Sequence, residues 1–279
     1  MEKGTKTVLI ISAVAVTLLL GFWAVKRFVV DKVTAARKKN RNIEFERDET
    51  YKSYSNASGS FNALKVKVPQ LSTKAYENYA VSQITAKLST IKNNYGNFIT
   101  NAAKLTNVPE EIIYSFIFIE SSGDKNAIGG ISVGLMQINP ATASDVIYSE
   151  IKKGRLSAEE EAVLRKQIGV KMDCLKKQKY SSHGMACNNN TGISVTKQDL
   201  LNAEFNIMVG AIALGQLIDE YTEGGTVRLD KVVIVYNQGI GAKKRVAGKD
   251  LNGVVSAAGQ SKTYIIRLLG TNGLLDIQV

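Results

Sequence analysis

The sequence predicts a mainly α-helical protein, with a transmembrane helix at the N-terminus, a helical stalk, and a helical domain filling the C-terminal two thirds. Three observations carry this reading. An uncharged apolar run extends from Thr7 to Val25, and beyond Leu71 apolar residues recur at helical spacing. Strand-like alternation is rare, and proline is confined to Pro69, Pro109 and Pro140. With 279 residues, 44% hydrophobic and 22% charged, the chain has room for one or two domains and a sizeable core.

The first element is the run TVLIISAVAVTLLLGFWAV, residues 7–25. At about 1.5 Å per residue it reaches across a hydrocarbon core of roughly 30 Å. Phe22 and Trp23 suit the interface, and Lys26 and Arg27 end the span. A cleavable signal peptide is the competing reading, because Lys3 and Lys6 form a basic leader. The apolar stretch is long for such a peptide, however, and GFWAVKRF offers no small-x-small cleavage site. A retained anchor over residues 1–25 is the expectation.

Residues 26–70 read as a basic juxtamembrane segment and linker. More than half of the net charge of +11 sits on Lys26, Arg27, Lys32, Arg37, Lys38, Lys39 and Arg41, set against Asp31 alone. Such a segment suits an anionic partner (phospholipid, nucleic acid or cell-wall polymer) or is a solvated continuation of the anchor helix to about Arg47. The stretch YKSYSNASGSFNAL, residues 51–64, is small and polar and reads as a linker or surface loop. The excess of basic residues after the span argues for a cytoplasmic C-terminal side. Cys174 and Cys187 argue the other way, since two cysteines in a Lys-, Ser- and Asn-rich segment read as a disulfide of an oxidising compartment. A metal site there would have only His183 as a third ligand and lacks a fourth.

Residues 71–279 form the predicted domain. Tyr76, Tyr79, Ala80, Ile84, Leu88, Ile91, Tyr95, Phe98 and Ile99 mark its first helix. The next begins at NVPEEIIYSFIFIESSG, where Asn107 and Glu110 suggest a capping box and Pro109 fits the first turn. Ile112, Ile113, Phe116, Ile117 and Glu120 share one face of it. Glu120 therefore ends a buried stripe, at the helix terminus where the dipole disfavours an anion. Both effects raise its pKa, as a general acid requires near neutral pH. Alone, the pattern also fits a glutamate that simply finds a basic partner.

Three later stretches add to it. VGLMQINPATA spans residues 133–143; NIMVGAIALGQLIDEY, residues 206–221, reads as an amphipathic helix with Gly210, Ala213 and Gly215 for close packing; VVIVYNQGIGAKKRV spans residues 232–246. The order Glu-Ser, Gly-Leu-Met-Gln, Asn-Ile-x-x-Gly, Tyr-Asn-x-Gly resembles the soluble-lytic-transglycosylase (SLT) domain family of the lysozyme-like superfamily, from about Lys87 to about Leu269. The resemblance implies a lysozyme-like catalytic domain with Glu120 as catalytic acid/base and Ser121 as its motif neighbour. It places Gly134, Leu135, Met136 and Gln137 along the sugar-binding cleft and aims the Tyr236 hydroxyl at Glu120. Asn237 would shape the same loop, and Tyr264 would be a further cleft tyrosine. The chain departs from the family where Val235 and Gln238 replace the alanines of an Ala-Tyr-Asn-Ala-Gly motif, which would alter cleft shape. An enlarged, lysine-rich stretch over residues 144–203 is a second departure, and its SAEEEAVLRKQIG part reads as a solvated helix.

Ordinary glycoside hydrolysis needs two carboxylates, and only Glu120 stands on a motif; Asp124 and Asp145 do not. The resemblance therefore implies a peptidoglycan lytic transglycosylase, a lyase that leaves 1,6-anhydromuramic ends and needs no metal or cofactor. A muramidase of the same fold, or a catalytically idle glycan-binding component of an envelope complex, are the alternatives. The implied partners are peptidoglycan glycan strands and the membrane through residues 7–25, with an envelope or virion complex as a further setting; no specific nucleic acid is expected. Such a substrate places the domain on the periplasmic or cell-wall side, with phage entry and secretion as contexts. His183 lies near no nucleophile motif, and no phosphate-binding glycine loop is present.

Overall fold

The computed structural model describes residues 51–56, 59–64, 81–177, 195–270 and 273–277. The predicted span over residues 7–25, the basic segment and the stalk lie outside the described residues, as does Cys187. Among the described residues no helix is long and apolar enough to cross a membrane.

Helix α1 runs from Val81 to Thr106 and buries Ile84, Leu88, Ile91, Ile99, Ala102 and Ala103 along one stripe. Helix α2, Glu110–Ser121, follows, with Glu110 and Glu111 in its first turn where the dipole favours them. The predicted capping box does not form. Pro109 is the cap residue, without a side-chain bond, and Asn107 adopts a left-handed conformation at φ 62° instead. The proline displaces the helix start past the point where an Asn107 cap would reach.

A short antiparallel pair, β3 (Ile128–Gly129) and β4 (Ser132–Val133), leads into α3, Pro140–Lys152. That helix starts where Asn139 accepts from the Thr142 N–H at 2.8 Å and Pro140 occupies the first turn. Helices α4 (Ala158–Ile168), α5 (Lys171–Lys177) and α6 (Lys197–Leu200) form the enlarged stretch. The Ser157–Glu160 capping box opens α4. This helix is not a solvated one: Glu160, Leu164 and Ile168 are buried, and it packs against both α1 and the central helix. Cys174, on α5, is disulfide-bonded.

Helix α7, Ala203–Glu220, is the centre of the molecule. An amphipathic helix was the expectation, yet every residue from Phe205 to Gly215 is buried. α1, α3, α4 and the next helix, α8 (Leu229–Gln238), surround it. A helix enclosed on all sides needs no polar face. At its far end Gln216 donates to Glu150 of α3 at 3.0 Å, and Arg155 also pairs with that carboxylate, so a fully buried acid is held by donors. After α8 come α9 (Lys243–Val246), α10 (Leu251–Ala257) and α11 (Lys262–Leu269), of which α11 packs against both α8 and α2.

Residues 51–64 are not a linker or surface loop. They form a hairpin, β1 (Tyr51–Asn56) and β2 (Gly59–Leu64), in register from Tyr51–Leu64 to Asn56–Gly59. β2 adds in parallel to β6 (Thr226–Val227), itself paired with β5 (Thr222–Glu223), giving the order β1-β2-β6-β5. The third strand, β6, lies far along the chain, so only the β1–β2 pairing is local and the four-stranded sheet is not announced by the segment itself.

Candidate active site

Glu120 stands on the last turn of α2, above Ile112, Ile113, Phe116 and Ile117, all four fully buried. The helix stops there because Ser122 turns left-handed at φ 55° and returns its N–H to the Phe118 carbonyl. Ser121 serves this terminus: its hydroxyl donates to the Ile117 carbonyl at 3.1 Å and accepts from the Gly123 N–H at 3.2 Å. Burial pushes the Glu120 carboxyl from its ordinary value of 4.5 up to about 7, while a hydrogen bond from Tyr264 pulls it partly back. The shift is thus a desolvation effect and not the repulsion of a second carboxylate.

The hydroxyl that reaches Glu120 belongs to Tyr264, which donates to Oε1 at 3.0 Å from α11. Tyr236 had been the expected partner. It instead donates to the Met136 carbonyl at 3.0 Å, although its ring lies close enough for the Glu120 charge to bear on its phenol. Burial holds that phenol far above its ordinary value, so it remains a neutral donor. Phe116, one turn before Glu120, separates the two rings. It meets Tyr236 edge-on at 4.9 Å between centroids and Tyr264 at 5.6 Å.

Residues 133–137 lie beside Tyr236, which reaches them through the Met136 carbonyl. Leu135 and Met136 are fully buried core residues, so any contact they offer a ligand runs through main chain. Gln137 spends both amide hydrogens on its own loop, on the carbonyls of Gly134 at 2.9 Å and Ala127 at 3.1 Å. Its backbone is left-handed, at φ 45°. Gly134, at φ 82°, has to be glycine, because a Cβ there would lie 2.3 Å from Nδ2 of Asn206 and 2.6 Å from the Leu200 carbonyl. Gly210 of α7 likewise makes room for the Met136 thioether, which a Cβ would meet at 2.2 Å.

Asn206 is the residue that motif reading left without a role. Fully buried, it donates to the carbonyls of Val133 (3.0 Å) and Leu200 (2.9 Å) and accepts from the Met136 N–H (2.8 Å). It thus pins the segment carrying Tyr236's acceptor to the central helix. The signal was there: one asparagine in the apolar run NIMVGAIALG must find partners or destabilise the core.

Asn237 is exposed and accepts from the Ser261 hydroxyl at 2.7 Å, joining α8 to the turn before α11. Val235, one of the two bulkier replacements, is buried in the core. Asp124 accepts from the Asn126 N–H at 2.9 Å, a turn-forming role. Among the described residues no group of His, Cys, Asp and Glu is arranged to hold a metal ion.

Taken together, a carboxyl raised to about 7 by burial accepts from one phenol and lies near a second, beside a loop held by two side-chain amides. Residues 97–160 match the family described as Transglycosylase SLT domain. A stretch of 86 residues is 37% identical to the "Membrane-bound lytic murein transglycosylase E" of Buchnera aphidicola subsp. Acyrthosiphon pisum (strain APS). That stretch covers 30% of this chain and 38% of the relative, so the similarity spans well under half of either protein. The family match over residues 97–160 includes Glu120 and residues 133–137.

Proposed function

We propose that this chain, whose residues 97–160 match the transglycosylase SLT domain, is a peptidoglycan lytic transglycosylase cleaving the β-1,4 bond between N-acetylmuramic acid and N-acetylglucosamine. The observation that carries the proposal is Glu120: a single carboxyl raised to about 7 by burial, oriented by the Tyr264 hydroxyl. Near neutral pH a large share of it holds its proton, as a general acid must.

In the reaction, the Glu120 carboxyl protonates the glycosidic oxygen as the C1–O bond breaks, and N-acetylglucosamine leaves with a free 4-hydroxyl. The 2-acetamido oxygen of the muramic residue supports the electron-poor C1. Glu120, now a carboxylate, takes the proton from the 6-hydroxyl as that oxygen bonds to C1. The product is a 1,6-anhydromuramic end, no water is consumed, and Glu120 regains its proton. Tyr264 keeps the carboxylate hydrogen-bonded between the two steps, and the neutral Tyr236 stays close by with its hydroxyl tied to the loop.

For location, the domain would work on the wall side of a membrane, held by the anchor expected over residues 7–25. The name of the Buchnera relative, a membrane-bound enzyme, supports an envelope setting. The basic residues that follow the span break the usual charge rule for an exported domain, and delivery by a virion, a secretion or conjugation apparatus, and plain envelope maintenance are the settings open to it.

The test is mass spectrometry of muropeptides released from purified sacculi by the full chain and by its Glu120→Gln variant. Anhydro-muropeptides from the wild type alone are expected. Reducing ends would make the protein a muramidase with a second carboxylate, and no release by folded wild type would leave a glycan-binding role.

A further inference from the structure

We propose that Gln238 is a positioning residue, whose amide fixes the start of α11 so that Tyr264 meets Glu120. The proposal rests on the reading of Glu120 as the reacting acid, while the coupling itself belongs to the unliganded fold.

The helix carrying Tyr264 is only eight residues long, too short to hold its place by its own hydrogen bonds. Its N-cap residue is Ser261, a type that normally accepts a bond from its own first turn, yet no such side-chain bond forms here. The Ser261 hydroxyl, 1% exposed, is turned across to α8 instead. There it accepts from Gln238 Nε2 at 2.6 Å and donates to Asn237 Oδ1 at 2.7 Å. The same Nε2 donates to the Ala258 carbonyl at 2.7 Å, and Gln238 Oε1 accepts from Arg245. Every polar group of Gln238 is therefore committed, and both of its donated bonds land on the turn preceding α11.

Tyr264 lies one helical turn beyond Ser261, on the same side of α11. A shift at Ser261 is carried directly to the phenol, which donates to Glu120 at 3.0 Å and whose ring rests on Phe116. Alanine, which stands at this place in the Ala-Tyr-Asn-Ala-Gly motif, has no amide to offer, whereas Gln238 reaches the turn before α11. The titratable groups bearing on Glu120 among the described residues are the phenols of Tyr264, from α11, and Tyr236, from α8.

The experiment is a carbon-13 NMR titration of the full chain, labelled at glutamate side-chain carboxyls, with the Glu120 signal identified by its loss in Glu120→Gln. The variants are Gln238→Met, which keeps length and loses both donors without adding charge, Ser261→Ala, Tyr264→Phe, and Gln238→Met combined with Tyr264→Phe. The Tyr264 bond favours the carboxylate, so Tyr264→Phe should titrate at higher pH. Gln238→Met and Ser261→Ala should each reproduce most of that rise, and Gln238→Met should add nothing once Tyr264 is phenylalanine. Turnover on sacculi should fall roughly ten-fold or more in Gln238→Met, as expected of a displaced catalytic partner. An unshifted Glu120 in both Gln238→Met and Ser261→Ala, or an equal shift with and without the Tyr264 hydroxyl, overturns the proposal. Absence of turnover in the wild type would sink the reaction instead and leave the titration readable.

Discussion

Glu120 is costly to the fold, and the cost has a pH signature. Below its ordinary value of 4.5 the folded and unfolded chains both carry the proton. Between 4.5 and about 7 the unfolded chain ionises first, so the folded state loses stability as pH rises through that interval, then stays level. The shift corresponds to a loss on the order of 3 kcal/mol. Glu120→Gln cannot ionise, so chemical denaturation at pH 8 should find it more stable than wild type by about 2–3 kcal/mol, with the difference vanishing near pH 4. The opposite is expected of activity, which Glu120→Gln should abolish. Since the first step needs the protonated acid, wild-type turnover should decline as pH rises through about 7. Tyr264→Phe removes a bond to the carboxylate and should move that declining limb to higher pH, read from the pH dependence of kcat/KM. Of these residue-scale features, Glu120 was legible because its place on an apolar stripe depends only on helical period. Which tyrosine meets it was not, because Tyr236 and Tyr264 lie on different helices and only their packing on Phe116 assigns their hydroxyls.

At the scale of elements, the 133–137 segment owes its shape to α7. Asn206→Ala would strand the Met136 N–H and two carbonyls in the core, at about 1–3 kcal/mol for each unsatisfied group. A loss of several kcal/mol in denaturant unfolding is expected. Gly134→Ala should be as damaging, because the new methyl collides with the same amide and φ 82° disfavours any side chain. A small effect of either substitution would show that the loop does not depend on this anchor. Motif order pointed to both residues, but their contact joins segments about seventy residues apart. Local cues did worse where tertiary context competed with them. Pro109 overrode the Asn107 cap, and the charged surface of α4 hid an inner face that packs on α7 and α1.

For the whole molecule, the β1–β2 hairpin adds two strands to the β6–β5 pair. It pairs with β6 at Asn62–Thr226 and Ala63–Val227, and β2 also lies against α8, the helix that carries Tyr236 and Gln238. The residues before the domain are thereby joined to the element that orders the active site. Proline at position 63 removes an N–H and disturbs the paired backbone. Ala63→Pro should lower stability by about 1–3 kcal/mol and speed hydrogen exchange at Thr226 and Val227. Unchanged exchange at those two amides would show that the hairpin contributes nothing to β6.

The sequence by itself determined the helical class, the apolar stripe ending in Glu120, and the order of motifs that resembles the SLT domain. Helical period, glycine spacing and charge are properties of neighbouring residues and can be read along a line. The tertiary structure alone decided which phenol holds the acid, that Leu135 and Met136 are core, that Asn206 anchors the loop, and that residues 51–64 complete a sheet. Each of these depends on a contact between segments far apart in the chain. Such contacts are chosen by packing around α7 and by the need to satisfy buried polar groups, and neither is written in any local stretch.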